Sequence, residues 1–269
     1  MPNPYLSVIV PAYNGSEWLS QSLAELESFV LGQPHRTELV LVDDCSDAAT
    51  AKILADFVAT RGWVRVLRND QNRGKGFAVA RGMLAARGRY RIFTDADLAY
   101  PVCQIRRVLA ALETGADIAV ANRVHPESRY TMSPSFFNYL FSRHVMSRIF
   151  NRIVQMSVLP GVHDTQAGLK GFSAQAAKAV FPRVTIERFG FDIELLVAAR
   201  AHGLRVVETP VLFRYDNEPS TVRFSSDVLM MLRDLVLILR NRRRGLYAPM
   251  MDVTTPSDRP AARALAPAS

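Results

Sequence analysis

SVIVPAYNG, at residues Ser7–Gly15, joins a short apolar run to a polar turn. The apolar run spans Leu6–Val10 and ends at Pro11. Short apolar runs bounded by turn residues are typical of strands that are buried on both faces of a sheet. We therefore predict that this stretch holds the first strand of an α/β domain, with polar residues directly after it.

The same pattern recurs as far as residue 121. The predicted strands are Leu6–Val10, Thr37–Val42, Val64–Arg68, Tyr90–Thr94 and Asp117–Ala121. The predicted helices between them are Glu17–Leu31, Ala48–Thr60, Gly74–Ala86 and Pro101–Glu113. This alternation predicts a mostly parallel central sheet flanked by helices. Ligands of such sheets bind at the carboxyl ends of the strands. The candidate site residues therefore follow the strands: Asn14, Asp43, Asp44, Asp95, Asp97 and Arg123.

The second half is less regular. Its predicted elements are a long helix at Ser135–Met156, an apolar segment at Leu169–Phe172, a helix at Phe191–Ala201, strands at Arg205–Thr209 and Val211–Arg214, and an apolar helix at Asp227–Leu239. A basic run, Arg240–Arg244, follows the last helix. The end of the chain, 248–269, is rich in Pro, Ala, Ser and Thr, and we expect it to be a disordered tail.

The net charge and the high share of arginine bear on the kind of ligand that the protein binds. The 269 residues carry a formal net charge of +8, and 29 of the 33 basic residues are Arg. Arginine grips phosphate with a planar fork, which favours a phosphate-rich ligand, although genome composition alone explains such a bias equally well. We expect no nucleic-acid partner, because no recognition motif accompanies the charge.

The cysteines and the hydropathy of the chain indicate the cellular compartment in which the protein works. Cys45 and Cys103 form no paired motif, so we expect a reduced, cytoplasmic chain. The N-terminus does not read as a signal peptide, and no stretch has the roughly 18 uncharged apolar residues of a membrane span. Any membrane contact is therefore expected to be peripheral.

Asp95-Ala96-Asp97 is the sharpest local motif, with two carboxylates directly after a predicted strand. Carboxylate oxygens suit a hard divalent cation, and the oxygens of a nucleotide diphosphate complete its ligand shell. Such a cation neutralises the charge that builds on a departing diphosphate. The motif alone is weak, because ordinary loops often contain it.

Three further motifs supply its context: Ser7–Gly15, Leu41–Asp47 and Asn72–Gly76, the last followed by Ala80–Gly82. Together with their spacing before Asp95, they resemble family 2 glycosyltransferases. This resemblance covers residues 6–123. It implies the GT-A (nucleotide-diphospho-sugar transferase) fold and a metal-dependent hexosyltransferase that uses Mg²⁺ or Mn²⁺.

Two motifs of the second half narrow the resemblance. His163–Phe172 and Glu187–Leu196 resemble blocks of the dolichyl-phosphate glucosyltransferases. This implies an inverting enzyme that moves glucose from UDP-glucose to a polyprenyl phosphate. A GDP-mannose-dependent mannosyltransferase is the alternative, although related mannosyltransferases usually have a polar residue where this chain has Ala99. A non-catalytic nucleotide-sugar-binding protein is a further alternative.

The resemblance also implies boundaries and donor-side roles. We expect a catalytic domain at 1–247, with a nucleotide-sugar-binding half at 6–123 and an acceptor-side half at 124–239. The resemblance places Asp95 and Asp97 on the metal, with Ala96 between them at the donor. The other implied donor contacts are Pro11, Ala12, Tyr13 and Asp43 at the base and ribose, and Arg73, Lys75 and Arg123 near phosphate. Asp44 is expected to support the loop through backbone N–H groups, although it is an alternative to Asp43 as the nucleotide contact.

On the acceptor side, the resemblance places Asp164 across the site, with Gln166 and Lys170. A phosphate acceptor is already an anion near neutral pH, so we expect Asp164 to position rather than deprotonate. A buried structural ion pair is the alternative for Asp164, with Glu187 and Arg188 as possible complements. Arg214, Ser220 and Arg223 fall where relatives have a loop that closes over the acceptor, and a solvated loop is the alternative.

The helix at Ser135–Met156 and the helical segment Asp227–Arg244, which includes the basic run, are candidate membrane contacts. Both regions supply apolar and Arg side chains, which suit the surface of an anionic bilayer. We therefore expect the protein on the cytoplasmic face of a membrane. The alternative is that both helices belong to the core and that the basic run is merely solvated.

Overall fold

The computed structural model describes residues 3–132, 148, 150–188, 190–215 and 224–249. The strands are β1 Leu6–Ala12, β2 Thr37–Asp43, β3 Val64–Arg68, β4 Tyr90–Phe93, β5 Ile118–Asn122, β6 Arg129–Met132, β7 Lys170–Ser173, β8 Val206–Pro210 and β9 Leu212–Tyr215. The helices are α1 Leu19–Leu31, α2 Ala48–Val58, α3 Lys75–Ala85, α4 Gln104–Glu113, α5 150–157, α6 Ala174–Val180, α7 Phe191–Ala201 and α8 Phe224–Arg243.

The central sheet has the strand order β3-β2-β1-β4-β7-β5-β8. Its pairs are parallel except those of β7, which runs antiparallel between β4 and β5. This confirms the predicted mostly parallel sheet. Because β1 pairs with β2 from Leu6↔Thr37 to Ala12↔Asp43, the carboxyl ends of these two strands lie side by side.

Close packing of α3 against the sheet fixes this edge. The Val, Leu and Ile side chains of β1 and β2 are fully buried, and the burial of each contributes about 1.5–3 kcal/mol to stability. Gly82 lets α3 approach, because a Cβ at this position would lie 2.5 Å from Cγ2 of Ile9. The start of α3, at Lys75, is thereby held beside the carboxyl ends of β1 and β4.

The second half completes the sheet and adds a smaller one. The segment predicted at Leu169–Phe172 forms β7, and Lys170 pairs with Phe93 of β4. Strands β6 and β9 form a separate parallel pair. The N–H of Arg214 in β9 donates to the carbonyl of Ala99 at 2.7 Å, which ties this pair to the loop after Asp97.

The predicted long helix lies largely outside the described residues. Of Ser135–Met156, the structure describes 148 and 150–156, and 150–157 is helical. The loop residues Ser220 and Arg223 are also outside the description.

Helix α8 continues beyond the predicted end at Leu239, so the basic run was wrongly separated from it. The helix reaches Arg243 and includes most of that run. Arginine is a good helix former, and cations in a last turn interact favourably with the helix dipole. The next glycine, Gly245, has a φ of 72°, a conformation typical of residues that follow a helix end.

The chain packs onto the domain as far as Tyr247, which is 1% exposed. Its hydroxyl donates to Oε1 of Glu194 in α7 at 2.7 Å. The domain boundary at 247 stays a prediction. Most of the predicted tail, 250–269, lies outside the described residues.

Candidate active site

The carboxyl ends of β1, β2 and β4 form the floor of the candidate site. Pro11 and Ala12 close β1, and Ala12 is buried, whereas Tyr13 is 50% exposed. Asn14 has a φ of 46°, and its side-chain oxygen accepts from the N–H of Asp47 at 2.9 Å. These contacts place the turn after β1 against the turn after β2.

Asp43 and Asp44 are both buried, but they hold different parts of the site. Asp43 accepts from the N–H of Ser46 at 2.8 Å and also contacts the guanidinium of Arg68. Its contact with a nucleotide stays a prediction.

Asp44 accepts from the backbone N–H groups of Arg73 at 3.1 Å and Gly74 at 2.7 Å. It has the geometry of the supporting role that we expected, although the loop it holds precedes α3. A carboxylate that collects backbone donors in this way fixes a loop that would otherwise leave those N–H groups unpaired.

Asp95 forms an ion pair with Lys75, the first residue of α3. Its Oδ1 lies 2.5 Å from Nζ of Lys75, with the two side chains 28% and 22% exposed. Burial by itself lowers the pKa of Lys75, but the carboxylates of Asp95, Asp192 and Asp97 outweigh burial and raise that pKa above its ordinary value. Lys75 is therefore a fixed positive charge at the site.

Backbone contacts and close packing fix the turn that carries Asp95 and Asp97. Oδ1 of Asp97 accepts from the N–H of Ala99 at 3.0 Å, and Ala96 between the carboxylates is buried. Gly168 lies directly against Asp95, because a Cβ on this glycine would collide with the carboxylate. The Asp95-x-Asp97 motif and the block around Asp164 therefore meet in space.

The fit of a divalent cation rests on these two carboxylates. Within the described ranges, no group of three or more His, Cys, Asp or Glu residues forms a self-sufficient metal cage. Asp95 and Asp97 supply oxygen ligands of the kind that Mg²⁺ and Mn²⁺ accept. They suit a cation that completes its shell with the oxygens of a bound diphosphate and with water.

The buried carboxylate of Asp164 forms a bidentate ion pair with the partly exposed guanidinium of Arg123. Nε of Arg123 lies 2.7 Å from Oδ2 and Nη2 lies 2.8 Å from Oδ1, while the N–H of Arg123 also donates to Oδ2. Burial tends to raise the pKa of Asp164, but Arg123 outweighs it and holds the pKa below its ordinary value. The carboxylate therefore stays ionised, which suits a positioning role better than that of a general base.

Lys170 and Gln166 are placed differently from each other. Lys170 is fully buried; its ammonium contacts Asp192 and donates to the carbonyl of Ala167 at 2.6 Å. It does not reach solvent from this position, unlike a residue that contacts substrate directly. Gln166 is half-buried, with its side-chain amide 4.0 Å from the sulfur of Met231 in α8.

Arg73 lies in the loop before α3 and contacts the second half of the chain. Its guanidinium contacts the carboxylate of Glu187 and lies 3.5 Å from the centre of the Phe77 ring. The side chain is 38% exposed, so a ligand has access to it. Arg188 packs beside Gly74. Glu187 and Arg188 thus lie near the loop before α3 rather than beside Asp164.

Glu208 in β8 is a site residue that sequence reasoning missed. Its Oε1 accepts from the N–H groups of His163 at 2.7 Å and Asp164 at 3.2 Å, and its Oε2 contacts Nδ1 of the His163 ring at 2.8 Å. A single carboxylate within a predicted strand was the available signal. Its partner lies 44 residues away in the sequence, so no local pattern identifies it.

A mostly parallel sheet with carboxylates after its strands is the arrangement expected of a GT-A glycosyltransferase. The family model described as glycosyl transferase family 2 matches residues 7–181. The chain belongs to this family, which confirms the predicted class of enzyme, a glycosyltransferase.

Its relatives agree with the more specific resemblance. A "Dolichyl-phosphate beta-glucosyltransferase" of Drosophila melanogaster is 36% identical over 250 residues, which are 88% of this chain and 75% of the relative. A protein of the same description from Dictyostelium discoideum is 32% identical over 248 residues, covering 88% of this chain and 74% of the relative.

Solved structures support the fold. A glucosyl-3-phosphoglycerate synthase from Mycobacterium tuberculosis, in complex with Mn²⁺ and UDP-glucose, has a TM-score of 0.64 at 17% identity. The match covers 92% of this chain and 82% of that one. A mannosyltransferase from Pyrobaculum calidifontis, with GDP-Man and Mn²⁺, has a TM-score of 0.53 at 17% identity and covers 91% and 65%. These likenesses confirm the predicted GT-A fold.

Proposed function

We propose that this protein transfers glucose from UDP-glucose to the phosphate of a polyprenyl or dolichyl lipid, with inversion at the anomeric carbon. One observation carries the proposal: relatives that are at least 30% identical over 88% of the chain are described as dolichyl-phosphate beta-glucosyltransferases. The contact between Gly168 and Asp95, which joins the two diagnostic blocks at one point, supports it.

The donor diphosphate is proposed to lie between the start of α3 and the Asp95–Asp97 turn. Lys75 supplies a fixed ammonium there, at the N-terminus of α3, where the helix dipole favours an anion. Arg73 reaches the same region. Pro11, Ala12, Tyr13 and Asp43 are proposed to border the base and ribose at the end of β1 and β2.

Asp95 and Asp97 are proposed to hold Mg²⁺ or Mn²⁺ together with the diphosphate. When bound, such a cation neutralises the negative charge of the departing nucleotide diphosphate. The contact with Lys75 holds the Asp95 carboxylate in place beside the proposed position of the diphosphate.

The acceptor phosphate is proposed to approach from the side of Asp164. Such a phosphate is ionised near neutral pH and attacks without a strong general base. Asp164 is held by Arg123, so we assign it the role of orienting Arg123 and the loop that carries Gln166. Arg214 lies on the neighbouring β9 strand, where it is proposed to meet the acceptor.

Contact with an anionic membrane surface is proposed through the outward face of α8. Val236 is 64% exposed on this helix, and the arginines of its last turn are exposed beside it. Apolar and Arg side chains on one face suit the interface of an anionic bilayer. Among the residues that the structure describes, no helix combines the length and hydrophobicity of a membrane span.

A donor panel tests the proposal. Purified protein, Mn²⁺ and a short polyprenyl phosphate are incubated with UDP-glucose or GDP-mannose, and nucleotide release and glycolipid are measured. We expect turnover with UDP-glucose and little with GDP-mannose. The opposite preference would establish the mannosyltransferase alternative, and no turnover with either would favour a non-catalytic binding protein.

The proposed metal role has its own test in the same assay. Asp97→Ala removes one of the two metal carboxylates, so we expect turnover to fall by at least about 100-fold while the circular dichroism spectrum is unchanged. EDTA should stop the wild-type reaction. A variant that keeps more than a tenth of the turnover at saturating Mn²⁺ would contradict this role.

A further inference from the structure

Four charged side chains of alternating sign run from the candidate site into the core. Asp95 pairs with Lys75 at 2.5 Å, and farther in Asp192 contacts Lys170. The exposed fraction falls along this series, at 28% for Asp95, 22% for Lys75, 5% for Asp192 and 0% for Lys170. The inner pair is thus cut off from solvent, while the outer pair borders the proposed diphosphate site.

The two helix starts explain how the series is assembled. Lys75 is the first residue of α3, and Asp192 is the second residue of α7. A Cβ on Gly76 would lie 2.7 Å from Cβ of Phe191, so the backbones of the two helices nearly touch at this point. This approach places the first turn of α3, which contains Lys75, beside the first turn of α7, which contains Asp192.

Electrostatics agrees with the geometry. After the opposing effect of burial, Asp95 and then Asp192 are the charges that most strongly raise the pKa of Lys75. Burial raises the pKa of Asp192, against the opposing charges of Lys170 and Lys75. Lys75 therefore lies in the field of two carboxylates, and the inner one already has a counter-ion of its own.

The inner pair needs an explanation other than stability. A buried ion pair adds little to stability compared with apolar side chains of the same volume. Neither Asp192 nor Lys170 reaches a ligand directly from its buried position. Their neighbour Lys75 does border the site, so an effect on the ligand passes through Lys75.

We propose that Asp192 and Lys170 are positioning residues that hold the Lys75 ammonium at the diphosphate site. The proposal rests on the proposed function, because it takes the ligand to be a nucleoside diphosphate. The ammonium of Lys75 pairs with Asp95 beside the proposed position of the diphosphate. When the diphosphate binds, Lys75 turns from Asp95 to the phosphate oxygens, and Asp192 keeps the ammonium within reach. Lys170 compensates the charge of Asp192, so that Asp192 does not draw Lys75 into the core.

UDP binding, measured by calorimetry with EDTA and again with Mn²⁺, tests the proposal without turnover. Lys75→Met should weaken UDP binding about tenfold, since a charge-assisted contact is lost. The charge-free pair Lys170→Met/Asp192→Asn should fold with a similar melting temperature and weaken UDP binding several-fold. The triple variant should bind no more weakly than Lys75→Met, because the inner pair acts through Lys75. Lys52→Met, which removes an exposed paired lysine of α2, is the control.

A purely structural inner pair would behave differently. Wild-type affinity in the charge-free pair, or losses that add in the triple variant, would overturn the proposal. If the charge-free pair does not fold, Asp192→Glu moves the carboxylate and keeps both charges; it should weaken UDP binding in the wild-type background and have no effect beside Lys75→Met. A wild-type protein that binds no UDP under either condition would instead contradict the proposed function.

Discussion

Asp44 accepts hydrogen bonds from two backbone N–H groups of the loop before α3, and Glu208 does the same for the loop at Asp164. Each carboxylate fixes a loop from a neighbouring strand, so the loops cannot shift independently of the sheet. The role of Asp44 was predictable, because its motif ends a strand. That of Glu208 was not, because its partners are contributed by a distant loop.

Gly168 offers a sharp test of the contact between the two diagnostic blocks. In Gly168→Ala the new methyl group collides with the carboxylate of Asp95, which must move. Since displacing a catalytic group by on the order of 1 Å costs about 100-fold, we expect a fall of at least tenfold in the rate of nucleotide release. Gly62→Ala is the matched control, because its Cβ meets nothing within 4 Å. Equal activity of the two variants would show that Asp95 is not a constrained site residue.

The Arg123–Asp164 pair predicts an acid-dependent contribution to stability. The pKa of Asp164 is lowered by Arg123 from an ordinary value of 3.8, so the pair stabilises the fold above that value and is lost as the pH falls through the lower, folded-state pKa. Asp164→Asn should cost about 2 kcal/mol at pH 7, and this difference should shrink below about pH 4. Urea unfolding of both proteins from pH 3 to pH 8 measures it. A difference that stays constant down to pH 3 would contradict the assignment.

At the scale of elements, the strand–helix alternation of the first half was readable because each element carries its own pattern. Helix α8 ends later than the predicted Leu239, because the arginines that follow Leu239 continue the helix as far as Arg243. The position of β7 between β4 and β5 had no sequence signal, because strand order depends on pairing between distant segments. Lys170 is buried because it lies on β7. Since the position of β7 could not be read from the sequence, Lys170 was expected at the substrate instead.

The outward face of α8 carries a prediction about membranes. Arg242→Ala/Arg243→Ala/Arg244→Ala removes exposed charges that are each worth about 1 kcal/mol near an anionic surface. We expect wild-type protein to pellet with anionic vesicles at low salt, less so as salt rises, and the variant to pellet less than wild type. Arg87→Ala/Arg106→Ala/Arg107→Ala removes exposed arginines elsewhere and is the control. Wild-type protein that stays in the supernatant at low salt would exclude this contact and make a soluble acceptor the better proposal.

At the scale of the whole molecule, a buried polar centre joins three separate parts of the second half. Glu194 of α7 accepts from the backbone of Thr185 and Ile186 and from the hydroxyl of Tyr247, each at 2.7 Å. Glu194 thereby attaches the segment that follows α8 to α7 and to the loop residues Thr185 and Ile186, which directly precede Glu187. The end of the domain is thus coupled to the loops of the candidate site.

Tyr247→Phe tests this attachment. The buried carboxylate of Glu194 loses one donor, so the free energy of unfolding should fall by about 1.5–3 kcal/mol. Tyr13→Phe, at a tyrosine that is 50% exposed, should leave it unchanged. Denaturant unfolding of the two variants makes the comparison, and equal stabilities would show that the segment after α8 does not hold the domain together.

The insertion of β7 also has a consequence for how the chain folds as it is synthesised. Strands β4 and β5 lie close together in the sequence, yet each pairs with a strand that begins only at residue 170. Until that residue emerges, both strands present open edges, which are the part of a sheet most prone to wrong pairing. Such long-range closure is slow, so we expect the first 130 residues to remain sensitive to protease on a stalled ribosome and to become resistant only when Ser173 has emerged. The donor-binding half and the second half of the chain would then fold in one step, and the donor-binding half would not be a folded unit before β7 is made.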